Sequence, residues 1–294
     1  MKHSYFFGFL LVMMVKPIFT LTLLDPLQTK NVGRFRHVNA LIVVDVQNCF
    51  ISGNLALFNS PAHQDGADVV PIINNLIRTI PFDVIVYTYD WHPHNHISFF
   101  DNLGPRRRYL EGDQNRTINI FDQVTYTGPK YKTDQVLWPA HCIADTEDAA
   151  LHKDLYIASA NRSVIHLRKG RDPDIDSYSA FADNNQVRQT ELDKELRARN
   201  VTQIFVAGLA TDYCVAATAL DALNLNYTTY LIEDASRGID LQTIKSKLND
   251  LKQRGVGIIQ VNRVKTLVNG ANDRSWNFLL IFSIHVLLLF SLSK

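Results

Sequence analysis

Apolar runs recur between residues 38 and 265, alternating with segments of helical spacing. Six strand-like runs stand out, several of them near-continuously apolar: ALIVVDV (40–46), DVIVYTYD (83–90), SVIHLRK (163–169), QIFVAG (203–208), YTTYLIED (227–234) and GVGIIQV (255–261). A strand with one wet face would alternate apolar and polar positions, so these runs predict strands buried on both faces of a parallel sheet. Between them, 68–79, 188–200, 212–224 and 240–254 place apolar residues three and four apart; Leu241, Ile244, Leu248 and Leu251 are one such series. That spacing predicts amphipathic helices. The alternation predicts one α/β domain over 38–265, a three-layer α/β/α sandwich whose mainly parallel sheet is doubly wound with right-handed crossovers. Residues 101–136 break the alternation with a long polar stretch, read either as a partial lid or as a surface excursion with short strands of its own.

Composition narrows the class of protein. Hydrophobic residues make up 46% and charged residues 20% of the 294-residue chain, enough apolar content for a sizeable core. A formal net charge of +1 gives no electrostatic footprint for nucleic acid, and the one dense basic cluster, PRRRY at 105–109, reads as a solvated loop. The two ends differ from the body. Residues 1–24 have the basic start and apolar stretch of a secretory signal peptide. Residues 270–294 contain an apolar run, Trp276–Leu292, behind the small residues of NGAND (269–273), the layout of a GPI-attachment signal. A single membrane-spanning anchor is the competing reading, with a run only marginal for about 30 Å of hydrocarbon. Both predict the extracellular face of a cell membrane. A secretory route would expose four sequons to glycosylation, at Asn115, Asn161, Asn200 and Asn226. Three cysteines, Cys49, Cys142 and Cys214, leave at least one thiol unpaired within the chain; a bond between Cys49 and Cys142 is one open arrangement.

Ligands of doubly wound sheets bind beyond the carboxyl ends of the strands, and here those ends are unusually polar. Asp45, Asp90 and Lys169 close three of the runs, and GLATDYC carries a fourth into a helix beginning near Cys214. A thiol in the first turn of a helix meets unpaired backbone N–H groups and the positive end of the dipole, which predicts a depressed pKa and a nucleophile. A buried, inert cysteine is the alternative. DWHPHNHISFF (90–100) adds one carboxylate and three imidazoles directly after a strand.

The segments VVDVQNCF (43–50), DWHPHNHISF (90–99), LWPAHC (137–142), KGRDPDIDSYSAF (169–181) and GLATDYCVAATALDA (208–222) resemble, in order, the signature segments of nicotinamidases, which are isochorismatase-like cysteine hydrolases. The resemblance covers about 40–262 and implies a catalytic triad of Asp45, Lys169 and Cys214. It implies metal ligands at Asp90, His92 and His141, with His96 at a position that ligates in some relatives, and a divalent transition metal, zinc ahead of iron. Oxygen and nitrogen donors suit those metals better than Mg²⁺. The resemblance further implies an oxyanion hole from the backbone of Ala210 and Cys214, a cis peptide at Leu209–Ala210, and stacking of the substrate ring by Phe50 and Trp138. Tyr178 and Phe181 follow the lysine and are pocket candidates; His94 has no counterpart and reads as a solvated loop residue. The implied substrate is nicotinamide, converted to nicotinic acid and ammonia through a thioester. Two other readings stay open: another amide or carbamoyl hydrolase of the same superfamily, or a membrane-anchored binding protein that kept the fold without catalysis.

Overall fold

A computed structural model describes residues 36–159 and 161–270. Strand β1 (Asn39–Val44) leads into the short helix α1 (Asn48–Ile51), then α2 (Val69–Thr79), β2 (Val84–Asp90) and α3 (Leu103–Arg106). The hairpin β3 (Gln123–Tyr126) and β4 (Thr133–Val136) precedes β5 (Ser163–Lys169), α4 (Leu192–Ala198) and β6 (Gln203–Leu209). A π-helical turn, Thr211–Val215, enters α5 (Ala216–Asn224), followed by β7 (Thr228–Arg237), α6 (Leu241–Arg254), β8 (Gly257–Ile259) and α7 (Val261–Val268).

Six strands form a parallel sheet in the order β5-β2-β1-β6-β7-β8. Every residue of β1 is buried, and its side chains divide between two cores. Leu41 and Val43 join one core with Val70, Ile73 and Ile77 of α2 and Val264 of α7. Ala40, Ile42 and Val44 join the other with Leu192 and Leu196 of α4, Ala219 of α5 and Leu251 of α6. This is the three-layer α/β/α sandwich that unbroken apolar runs require, because both faces of each central strand must be covered.

Several boundaries differ from the sequence reading. The helix expected over 188–200 contracts to α4, because 182–190 is held in turns around the buried Asp183, which accepts from the backbone N–H of Asn185, Val187 and Arg188. The run expected as a strand to 261 ends at Ile259, and α7 begins there. Residues 101–136 are a surface excursion with its own hairpin: β3 and β4 pair antiparallel over a small separate core of Ile97, Leu103, Leu110, Val124, Tyr126 and Leu137. The expected signal peptide and the apolar C-terminal run lie outside the described residues. Among those described, no helix is long and apolar enough to cross a membrane.

Candidate active site

The sheet register assembles the site. Asp90, the last residue of β2, lies directly across from Lys169, the last residue of β5, in the parallel ladder. Asp45 follows β1 with φ at +49°, its backbone N–H donating to Thr88 Oγ1 at 3.1 Å and its Oδ1 accepting from the same hydroxyl at 2.6 Å. Lys169 Nζ is the hub, 2.8 Å from Asp45 Oδ2, 2.5 Å from Asp90 Oδ1, 3.1 Å from the Ser177 carbonyl and 3.3 Å from Cys214 Sγ. Carboxylate oxygens of Asp45 and Asp90 and the Cys214 sulfur all lie within 4.8 Å of one another. All four residues are buried. The peptide Leu209–Ala210 is cis, at the entrance to the π turn that carries Cys214.

Burial raises the Asp45 carboxyl to about 6 against the pull of Lys169, with the Asp90 charge adding to the rise. Asp90 resists the same desolvation, because Lys169 and His92 hold it well below the usual carboxylate range. Desolvation also disfavours the Lys169 cation, yet Asp45 and Asp90 keep it firmly protonated, well above its ordinary value. Of the two sequence readings of Cys214, the structure shows the burial of the second and a shift opposite to the first. Burial pushes the thiol well above the ordinary cysteine range, against Lys169, and the nearby Asp90 and Asp45 charges raise it further. The helix-terminus argument considered one helix end alone; the tertiary fold places the sulfur out of water beside two carboxylates. Burial beside two carboxylates favours the neutral thiol on Cys214.

On the far side of Asp90 lies a histidine cluster. Asp90 Oδ2 is 3.4 Å from His92 Nε2, and the ring centroids of His92 lie 4.1 Å from His96 and 5.1 Å from His141. Two donor sets, Asp90/His92/His141 and His92/His96/Asp176, each converge within 4.8 Å. Each imidazole has its Nδ1 engaged elsewhere: His92 with the Gly170 carbonyl at 2.9 Å, His141 with the Pro139 carbonyl at 2.8 Å and His96 with Ser98 Oγ at 2.7 Å. Those partners orient the rings and present Nε2 inward. Burial holds His141 at about 4 and His96 well below its ordinary value, which keeps both lone pairs free. His92 resists burial and is raised by Asp90. His96 Nε2 is buried with no hydrogen-bond partner, a cost that a metal bond removes. Two tetrahedral ligands at about 2.1 Å from one ion stand roughly 3.4 Å apart, the separation found between Asp90 Oδ2 and His92 Nε2. The donor set fits a divalent metal.

Phe50, Trp138, Tyr178, Tyr213 and Ala210 line a narrow pocket that reaches Cys214, His92 and His141. Phe181 does not: it is buried against Tyr227 and is not among the lining residues. His94 is exposed, as are Asn115, Asn161, Asn200 and Asn226. Besides Tyr213, four residues around the site escaped the sequence reading. Thr88 holds Asp45, and Gln47 donates to the Asp90 carbonyl and accepts from its N–H, both at 2.9 Å. Gly170, with φ at +66°, allows His92 to lie against its backbone; a Cβ there would meet His92 Cε1 at 2.4 Å. Asp176 is buried 4.0 Å from His96 Nε2, its carboxyl raised chiefly by desolvation. It stands in a run with Asp172 and Asp174, which pair with Lys130, Arg106 and Arg188; only burial separates the inward carboxyl from its neighbours.

Comparison with known proteins places the chain. The isochorismatase domain model matches residues 39–263. A nicotinamidase of Acinetobacter baylyi is 44% identical over 204 residues, covering 69% of this chain and 82% of that one. The structure of a nicotinamidase/pyrazinamidase of Acinetobacter baumanii superposes with a TM-score of 0.65 at 38% identity, over 78% of this chain and 99% of that one. A Pyrococcus horikoshii pyrazinamidase solved in complex with zinc gives 0.55 at 32% identity, over 76% and 99%. A family match spanning nearly all the described residues, reinforced by these relatives, makes this chain a member of the isochorismatase family and an amidohydrolase with a divalent-metal site.

Proposed function

We propose that the protein hydrolyses nicotinamide to nicotinic acid and ammonia through a thioester on Cys214. The observation that carries this reading is the convergence of Lys169 Nζ on Asp45, Asp90 and Cys214 beside the histidine cluster. Asp45, ionised at neutral pH and near the basicity best suited to proton transfer, takes the thiol proton. The thiolate attacks the amide carbon while backbone N–H groups of Ala210 and Cys214 hold the oxyanion. Asp45 returns the proton to departing ammonia, then takes one from the water that cleaves the thioester and passes it to the Cys214 thiolate as it leaves. Lys169 stays protonated and keeps the two carboxylates in place. Phe50 and Trp138 flank the ring. Asp90, His92, His141 and His96 would hold the ion, and the zinc-bound structural neighbour supports zinc ahead of iron. When bound, the ion supplies an anchor for a pyridine nitrogen, directly or through its water.

The deciding assay is ammonia release from nicotinamide by purified protein, with and without prior chelation. Turnover that falls on chelation supports the reading; no turnover by metal-loaded protein would redirect it to another amide or to a binding role. The pH profile adds a prediction. Because Asp45 must be unprotonated to act and its carboxyl is raised to about 6, kcat/KM should decline below about pH 6. A decline only near pH 4 would remove Asp45 from the role of base.

We place this activity at the outer cell surface, with residues 270–294 replaced by GPI and sugars on Asn115, Asn161, Asn200 and Asn226. The exposure of all four asparagines and the Cys49–Cys142 disulfide support a secretory route. Phosphatidylinositol-specific phospholipase C should release the protein from cells; retention would favour a spanning anchor.

A further inference from the structure

Three of the chain segments around the metal cluster bear on the placement of His141. Residues 88–92 carry Asp90 and His92, 141–144 carry His141, and 45–50 carry none of these three donors yet touch both segments. Gln47 ties the last segment to the first through its two hydrogen bonds with the Asp90 backbone. The tie to the second is covalent: Cys49 is bonded to Cys142, the residue after His141, across 93 positions of sequence and a Cα separation of 5.3 Å. Both cysteines are fully buried. Cys142 also donates its N–H to Asp148 Oδ2 at 2.8 Å and accepts from His92 N at 3.1 Å. The packing around the bridge is close, since a Cβ on Gly53 would lie 2.0 Å from Asp148 Oδ1 and 2.8 Å from Cys49 Cα. Phe50, next to Cys49, packs against the His141 ring at 5.5 Å. The ring's own hydrogen bond reaches only the Pro139 carbonyl two residues away. That bond orients His141 within its segment and moves with it. The segment's place relative to Asp90 rests on the bridge together with two backbone bonds to His92, which donates its N–H to the Cys142 carbonyl and accepts from the Ala144 N–H at 2.8 Å.

We propose that Cys49 and Cys142 are positioning residues for the metal: their disulfide holds His141 within the ligand cluster, so the oxidised chain retains its ion under conditions in which the reduced chain releases it. The proposal rests on the divalent-metal assignment and is independent of Cys214, the free thiol. Opening the bridge takes two electrons and two protons: a dithiol reductant breaks the S–S bond, leaves thiols on Cys49 and Cys142, and closes its own disulfide. The segment at 141–144 then regains conformational freedom that competes with ligation.

The test compares full-length oxidised protein with Cys49→Ser/Cys142→Ser and with wild-type chain refolded under dithiothreitol, which should titrate three thiols instead of one. Metal per chain is measured after dialysis against graded chelator, well below the melting temperature, with circular dichroism monitoring the fold. Both bridge-free forms should lose half their metal at about 10- to 100-fold lower chelator, keep their spectra, and regain kcat in excess zinc. Chelator curves that coincide with the oxidised protein would overturn the proposal. So would loss of the whole fold in both bridge-free forms, which would make the bridge a general staple. An oxidised chain that binds no metal would overturn the metal assignment first, and this proposal with it.

Discussion

Replacing Cys214 with alanine should lower kcat for nicotinamide by at least about 10⁴-fold, because the proposed mechanism makes its thiolate the nucleophile, and without it only binding and electrostatics would remain. The change removes one sulfur from a buried position, so the metal cluster should keep its ion and the fold should survive. Cys214 touches Lys169 Nζ at 3.3 Å and is absent from the histidine donor sets. The measurement is single-turnover and steady-state ammonia release together with metal content. Activity above a hundredth of wild type would displace Cys214 from its assigned role, whatever the metal content. A variant that loses both activity and metal would show that the sulfur also supports the ligand cluster through Asp90.

Lys169→Met should act on stability and chemistry together. Lys169 is buried between two carboxylates, at 2.8 Å from Asp45 and 2.5 Å from Asp90, and methionine would leave both charges without their shared cation. Breaking a buried ion pair from one side typically costs about 3–5 kcal/mol, a large share of the roughly 5–15 kcal/mol that holds a domain together. The linked pH effect has a definite sign. Lys169 pulls the Asp45 pKa down against burial, so its loss raises that pKa further. A carboxyl raised in the folded state favours folding at low pH and loses that contribution as pH rises through its folded pKa. The variant should therefore recover stability towards acid, seen as a rising urea midpoint, while the acid limb of its residual activity moves to higher pH. An unchanged midpoint across that range would mean that Asp45 and Asp90 do not depend on the lysine.

Local pattern accounts for what the sequence determined. Unbroken apolar runs identify central strands, because only a strand covered on both faces carries no polar alternation. Asp45, Asp90 and Lys169 stand out because they close such runs, where α/β sheets bind ligands. Motif order then supplied the family resemblance, and the polar stretch at 101–136 stood out from the strand-helix alternation while leaving lid and surface excursion both open. Proximity belonged to the tertiary structure alone. The β2–β5 register sets Asp90 against Lys169, 79 positions apart. Thr88 and Gln47 carry no signal in their own neighbourhoods, and act only because β1 and β2 lie side by side. Asp176 could not be told from Asp172 and Asp174 until one of the three was buried. The open pairing among three cysteines resolved into Cys49–Cys142 once α1 and the His141 segment met. For Cys214 the local argument gave the opposite sign, since helix-end electrostatics act within one turn whereas desolvation depends on everything packed around the sulfur. Sequence alone determined which residues stand at the strand ends; the tertiary structure decided which of them lose water and which charges they face, because both depend on contacts between residues far apart in the chain.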